Sequence, residues 1–419
     1  EVYRDVVDAF TEKFPEILNE YCRYMALLTI ADGLLNSSLG TKNALAEATV
    51  ALKPIFKMIP TIAEISDTTR ESDFVRAIIA QNQNRFIGGS VQIERMQAVL
   101  GKLHDDDGYT YIAAKFLQGL SVVPQAIPYA AASRSKEKAD AFAAEHDIAT
   151  AYASYDELLN DPSVDIVYIA TPNHLHFPLT MHSMQKGKAV LCEKPLGLST
   201  TEVAEMVETS EKKNIFMMEA LWTAFLPSIS TVLRLIGKGV IGEVQVLKAD
   251  FGIHPNYQPE SRLFNPQLGG GSVYDIGIYP LFLALRVLGM PTDVSSVSSP
   301  APTGVDMTTA IVMNHDGGKI SSLTSSFACR LKSEAYIYGS KGYLHLEEMF
   351  HTPTRLYIRK ENDEKEIEIP LSYEGNGYNY EALEVMRCVD NGRNESDIFP
   401  HSFSIGLSKI ISTVLHQSK

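Results

Sequence analysis

Short apolar runs alternate with helix-length segments through the middle of this chain, and that alternation restricts the fold more than any other feature. The runs Tyr129–Ala132, Ile166–Ala170, Ala189–Cys192 and Ile215–Glu219 read as strands. Between and after them, Lys136–His146, Ser154–Leu159, Leu175–Lys186 and Thr201–Lys212 read as helices. Strands separated by such helices form βαβ units, and βαβ units stack into a parallel, doubly wound sheet. The strand ending at Ala170 runs into Thr171-Pro172-Asn173-His174, and the strand ending at Cys192 runs into Glu193-Lys194-Pro195. Polar residues at the carboxyl ends of such strands stand where open α/β sheets bind their ligands.

The flanks have other rhythms. In residues 1–107, Val2, Val6, Phe10, Phe14, Ile17, Leu18, Tyr21, Met25 and Leu28 recur at three- and four-residue steps, the helical period. Further helices are expected at Ala44–Lys53, Asp73–Gln81 and Val91–Lys102, with a short strand and turn at Phe86–Gly89. The charged run His104–Gly108 marks a boundary. Beyond Pro227, a helix (Ser228–Lys238), a strand (Val244–Gly252) and a helix (Ser272–Leu288) lead into six alternating segments between Thr308 and Ile369, the pattern of an antiparallel sheet. Two helices, Tyr378–Asp390 and Phe403–His416, follow. The expected organisation is a helical region of unknown role at 1–107, a dinucleotide-type α/β domain at 108–227 and a second α/β domain at 228–419.

Charge removes several functions. Lys and Arg number 37 against 51 Asp and Glu, a net charge of −14. That balance lacks the basic footprint of a nucleic-acid binder. No apolar stretch approaches the roughly 20 residues of a membrane span, and no basic-plus-apolar leader opens the chain, which starts at Glu1. Cys22, Cys192, Cys329 and Cys388 stand far apart with no C-x-x-C pair, which argues for a reduced compartment and against a zinc site. A cytoplasmic protein without metal, nucleic-acid or membrane partners is expected.

Two constellations can carry chemistry. Pro195 biases Lys194 toward an extended backbone and can support a cis bond, so the amine is aimed rather than free. On its own, Lys194 reads equally well as a solvated lysine after a strand. The second is Gly269-Gly270-Gly271-Ser272, followed by Asp275 and Tyr279, which share one face of a helix. The glycines permit close approach of backbone to a ligand, and Ser272 can cap the helix. A capped helix whose tyrosine merely packs fits the same residues.

Three segments together carry a resemblance: TPNHLHFPLTMHSMQKGKAVLCEKPL at Thr171–Leu196, MEALWTAFLP at Met218–Pro227 and LGGGSVYDIGIYP at Leu268–Pro280. With YGSKGYLHL at Tyr338–Leu346 they make residues 109–419 resemble the Gfo/Idh/MocA oxidoreductase family, most of all its dimeric dihydrodiol dehydrogenase and NADP-dependent xylose dehydrogenase branch. The resemblance implies a Rossmann-like parallel domain and a C-terminal α/β domain whose large, mostly antiparallel open sheet forms a homodimer. It implies that Lys194 stands beside the nicotinamide, that Tyr279 is the acid/base with Lys194 favouring its phenolate form, and that Asp275 binds substrate or orients the pair. Thr171, Asn173, His176, Glu193 and Lys194 match positions lining the cofactor, and Trp222 matches one at the substrate pocket. The implied reaction is hydride removal from a sugar (aldose C1) or a cyclic trans-diol. Ser133-Arg134 after the second strand offers a cation and hydroxyls where an NAD site has an acid, so NADP is expected ahead of NAD.

The sequence departs from that pattern twice. Ala224 stands where related sequences tend to carry an arginine. The Gly-x-Gly-x-x-Gly/Ala loop aligns with Gly108-Tyr-Thr-Tyr-Ile-Ala113, of which only Gly108 and Ala113 match. The expectation is therefore a sheet whose first strand and Gly-rich loop are missing or replaced by residues 1–107. A non-catalytic relative, a dimerising or binding module with a damaged nucleotide site, stands as the alternative to the NADP enzyme.

Overall fold

The computed structural model of the protein describes residues 96–102 and 107–417. The expected helices at Ala44–Lys53 and Asp73–Gln81, the turn at Phe86–Gly89 and the amphipathic segment before them lie outside that span. In the first part β1 (Met96–Lys102), α1 (Asp107–Leu120), β2 (Ala126–Ser133), α2 (Lys136–Glu145), β3 (Thr150–Tyr152), α3 (Tyr155–Asn160) and β4 (Ile166–Ile169) follow in order. After them come α4 (His176–Gln185), β5 (Ala189–Glu193), α5 (Thr200–Lys213) and β6 (Met217–Ala220). The six strands form one sheet in the order β3-β2-β1-β4-β5-β6, every neighbouring pair parallel. Serines start three of the helices: Ser135, Ser154 and Ser199 each accept the N–H three residues on, at 3.2–3.3 Å.

The first strand is present, which corrects the expectation that it was missing and that Val91–Lys102 was helical. β1 lies at the centre, Ala98 opposite Ile166 and Leu100 opposite Tyr168 on one side, Met96 opposite Ala126 on the other. Met-Gln-Ala-Val-Leu-Gly is too short for periodicity to separate strand from helix. The sheet decides it, because without β1 the facing edges of β2 and β4 would be left with unpaired backbone. The sheet therefore begins before residue 108. Only residues 103–106 separate β1 from α1, an ordinary βα connection.

The second part runs through α6 (Pro227–Gly237), β7 (Val244–Gly252), α7 (Ile278–Leu288), β8 (Pro291–Pro300), β9 (Asp306–His315) and β10 (Lys319–Ser326). It continues with β11 (Ala335–Gly339), β12 (Gly342–Leu346), β13 (Arg355–Lys360), β14 (Ile367–Pro370), α8 (Tyr378–Asp390) and α9 (His401–Gln417). Its eight strands order as β14-β13-β12-β11-β7-β10-β9-β8. All pairs are antiparallel except β7 with β10. Contrary to the expectation from the sequence, Pro266–Leu288 is long and apolar enough to cross a membrane, but 72% of its most apolar 18-residue window is buried in this part.

The helix expected over Ser272–Leu288 is a π-helical turn, Val273–Gly277, followed by α7. Pro280 explains the change: it has no N–H, and its ring would meet the Ile276 carbonyl of a regular α-helix. The glycines before it serve packing. A Cβ on Gly269 would lie 2.9 Å from the Cβ of Asn173, and one on Gly271 would strike the Asp306 carboxylate. Ser272 does not cap the helix; its hydroxyl donates to Asp306 at 2.7 Å, and the same carboxylate accepts the Val273 N–H at 2.8 Å.

Candidate active site

The carboxyl ends of β4 and β5 face the π-turn and the start of α7 across a cavity of about 180 Å³. Thr171, Asn173, His176, Glu193, Lys194, Asp275 and Tyr279, all singled out from the sequence, line it together. Two buried groups hold the Lys194 turn in place, whose Lys194–Pro195 bond is cis. The ring of His176 sits between the carbonyl oxygens of Pro195 (2.7 Å) and Thr171 (2.9 Å), and the single N–H of the neutral ring donates to one of them. Burial pulls the pKa of this imidazole down to about 4, against the pull of the two carbonyls. Glu219, which sequence reasoning passed over, accepts the Leu196 N–H at 3.0 Å and the Ser404 hydroxyl at 2.7 Å. Burial lifts its carboxyl to about 7, the two donors working the other way. Glu193 accepts the Tyr168 hydroxyl and the Lys194 N–H, and burial raises its pKa.

Charge in the cavity is arranged around one carboxylate. Lys194 Nζ donates to the backbone oxygen of Asp275 at 2.7 Å and stands 3.4 Å from Oδ1. Arg262 Nη1 donates to the same Oδ1 at 2.7 Å. Burial opposes ionisation of Asp275, but the two cations outweigh it and hold its pKa down to about 2. Burial likewise opposes the Lys194 ammonium, yet Tyr279, Asp275 and Glu193 together keep its pKa above the ordinary lysine value. Asp275 is therefore held as a carboxylate between two cations, Lys194 and Arg262.

Tyr279 is 7% exposed, its ring centroid 5.2 Å from Lys194 Nζ and its hydroxyl accepting the Trp222 indole N–H at 3.2 Å. Its pKa moves up, not toward neutrality as expected: burial is the larger influence and the Lys194 charge offsets only part of it. The resting side chain is a phenol. Trp222 stacks on Tyr378, ring centroids 4.6 Å apart and planes 6° from parallel.

The remaining expected residues lie around the sheet edge. Asn173 donates to the Gly269 carbonyl at 3.0 Å, clipping the two parts together beside the cavity. Gly108 is in the first turn of α1, and Ala113 on the same helix is fully buried, suiting a position where helix and sheet pack closely. Ser133, buried at the end of β2, accepts the Ser135 N–H at 3.3 Å, and Arg134 beside it is exposed. The donor set fits an anionic dinucleotide: a helix N-terminus after the central strand, a guanidinium and hydroxyls after β2, and amide and hydroxyl groups after β4.

Among the cavity-lining residues that the sequence reading gave no site role are Phe251, Arg262, His351 and Tyr378. Arg262 comes from the long connection between β7 and α7, where no periodicity marks it. It brings a guanidinium to Asp275, while Ala224, the position departing from related sequences, is buried.

A family model described as an oxidoreductase family with an NAD-binding Rossmann fold matches residues 108–220, and a Gfo/Idh/MocA C-terminal domain model matches residues 229–345. Trans-1,2-dihydrobenzene-1,2-diol dehydrogenase of Mus musculus is 33% identical over 320 residues, 74% of this chain and 93% of that protein. The Homo sapiens enzyme of the same name is 36% identical over 293 residues, 68% and 86% of the two chains. A solved 3-ketoreductase from Actinomadura kijaniata, in complex with NADP and TDP-benzene, superposes with a TM-score of 0.68 at 21% identity, covering 77% of this chain and 98% of its own. An aldose-aldose oxidoreductase from Caulobacter crescentus gives 0.69 at 22%, with the same coverage. These structures share the fold; with the sequence matches, they make the chain a member of the Gfo/Idh/MocA oxidoreductase family.

Proposed function

We propose that the protein is an NADP-dependent dehydrogenase that oxidises a carbinol of a sugar (at aldose C1) or of a cyclic trans-diol, with Lys194 and Tyr279 handling the proton. One observation carries this reading: an ammonium, a carboxylate and a phenol converge on a cavity continuous with the residues that would face a nicotinamide. The similarity to trans-1,2-dihydrobenzene-1,2-diol dehydrogenases supports the diol, and the solved 3-ketoreductase with NADP and the aldose-aldose oxidoreductase support NADP and a sugar-like ligand. A bound nicotinamide dinucleotide supplies hydride exchange; the rest falls to the chain. Lys194 polarises the reacting oxygen, Asp275 holds Lys194 in position, and Tyr279 gives a proton to that oxygen in reduction or takes one in oxidation. With a phenol at rest, proton donation is the ready direction. Oxidation is expected to quicken as pH rises toward the raised pKa of Tyr279, because it needs the deprotonated form.

The test is a titration with NADPH followed by nicotinamide fluorescence, beside assays of aldoses and trans-diols with NADP. Saturable binding with turnover of either class is expected; no binding up to millimolar NADPH sinks the reading. Arg134→Ser should weaken NADPH about tenfold or more while leaving NADH nearly unchanged, the loss of one charge-assisted contact to a 2′-phosphate. Equal losses for both cofactors would rule out that role for Arg134.

The same reading includes a homodimer through the open face of the eight-stranded sheet. Val312 and Ile320 stand 47% and 40% exposed on it, and Tyr336 stacks on Tyr338 of the same strand and on His345 of the neighbouring strand. Sedimentation should give twice the chain mass, and Val312→Glu should shift it toward one. A monomeric wild type discards the dimer.

A further inference from the structure

One cavity-lining side chain has no part in the proton chemistry. His351, in the segment between β12 and β13, is 6% exposed. Its backbone oxygen accepts the Thr223 hydroxyl at 2.8 Å, so the main chain there is pinned. The ring stacks on Phe251 (4.5 Å, 22°), leans on Tyr279 (4.9 Å) and meets Trp222 edge-on (6.3 Å). It lines the same cavity as Lys194, Asp275 and Tyr279. Lys194 and Arg262 are bonded to Asp275, and the Tyr279 oxygen already accepts the Trp222 N–H. The imidazole makes no such bond: Nδ1 is enclosed and has no partner among the described residues.

Enclosure decides the tautomer. A proton on Nδ1 would be a buried donor with nothing to receive it, so the neutral ring carries its proton on Nε2. Nε2 is then the nitrogen that a molecule in the cavity can meet. We propose that His351 is a specificity-determining residue, its Nε2–H donating to a hydroxyl on the carbon next to the one that reacts. Aldoses and cyclic trans-diols share that hydroxyl, and the His351 ring is the immediate neighbour of the Tyr279 ring. Two oxygens on adjacent carbons can thus be met by the two side chains at once. The proposal rests on the sugar or diol dehydrogenase reading above and adds what the site requires of its substrate. A buried donor that only the right substrate satisfies discriminates strongly against an analogue lacking the group.

Trp222 is the only tryptophan in the chain, and its contacts with Tyr279 and His351 make its fluorescence a binding signal that needs neither turnover nor cofactor. The full chain is titrated with trans-cyclohexane-1,2-diol and with cyclohexanol, as wild type, His351→Phe and His351→Gln. Wild type should bind the diol about tenfold or more tightly than the mono-alcohol. His351→Phe should bring the two affinities within about twofold of each other, while the amide N–H of His351→Gln restores most of the preference. A second apolar variant, His351→Leu, answers the same question should the Phe variant not fold. A preference that survives in the apolar variant overturns the proposal, as does a wild type that shows none. Turnover of both compounds is recorded in parallel with NADP. If neither is oxidised while the preference and its loss in His351→Phe hold, the dehydrogenase reading fails and the recognition role stands.

Discussion

A Tyr279→Phe variant is expected to bind NADPH as the wild type does and to turn substrate over about 10²- to 10⁴-fold more slowly, the range for losing a positioned acid/base. Packing should survive the change. The ring keeps its contacts with Phe251 and His351, and only the hydroxyl that accepts the Trp222 N–H is removed. The lost bond leaves a half-buried indole donor, worth about 1 kcal/mol of stability. The two readouts therefore separate: a small fall in the denaturation midpoint and a large fall in kcat. The pH profile gives a second check. If Tyr279 takes the proton, wild-type oxidation is expected to climb as pH rises toward its raised pKa, and in the variant that climb should vanish. A variant retaining close to full turnover would move the proton chemistry to another group.

The candidate site was legible where chemistry sits at the end of a strongly patterned element. Lys194 follows a fully buried strand, apolar up to Glu193, and Asp275 and Tyr279 are four apart beside a glycine run; the structure brings all three to one cavity. Its supports were harder to see. Glu219 and His176 act through backbone groups that are close only after folding, and Arg262 and His351 lie in irregular connections with no period to expose them. Among the strands, β3 spans only Thr150–Tyr152 and gives too short a signal. β8 is a serine-rich edge strand bounded by Pro291 and Pro300, a composition that reads as loop.

The misreading of β1 has a different cause. Its residues do not prescribe a strand; its neighbours do. Parallel pairing on both sides satisfies the backbone of β2 and β4, and that gain outweighs the weak local preference of Met96–Lys102. The central strand and the helix that follows it are both in place, so what departs from the family pattern is the residues at Gly108–Ala113, within that helix, and Ala224.

Asp275→Ala is expected to cost about 3–5 kcal/mol of folding stability, because it leaves Lys194 and Arg262 facing one another with their shared carboxylate gone. The side chains involved are 15% (Asp275), 14% (Lys194) and 27% (Arg262) exposed, so the two cations would stay largely desolvated without it. Asp275→Asn keeps the shape and an acceptor oxygen, so the difference between the two variants isolates the charge. The same ion pair should be visible in acid. The Asp275 pKa is held down to about 2 in the folded protein against 3.8 as the ordinary value. Its contribution, about 2 kcal/mol, is thus complete above the ordinary value and drains away as pH falls through about 2. Urea denaturation midpoints of wild type and Asp275→Asn should therefore converge as pH is lowered from 5 toward about 2. Parallel curves across that window would mean that Asp275 carries no net electrostatic stabilisation and that its bonds to Lys194 and Arg262 serve only to position the ammonium. If the curves converge and kcat falls in both variants, one carboxylate both stabilises the junction of the two sheets and aims the lysine at the reacting oxygen.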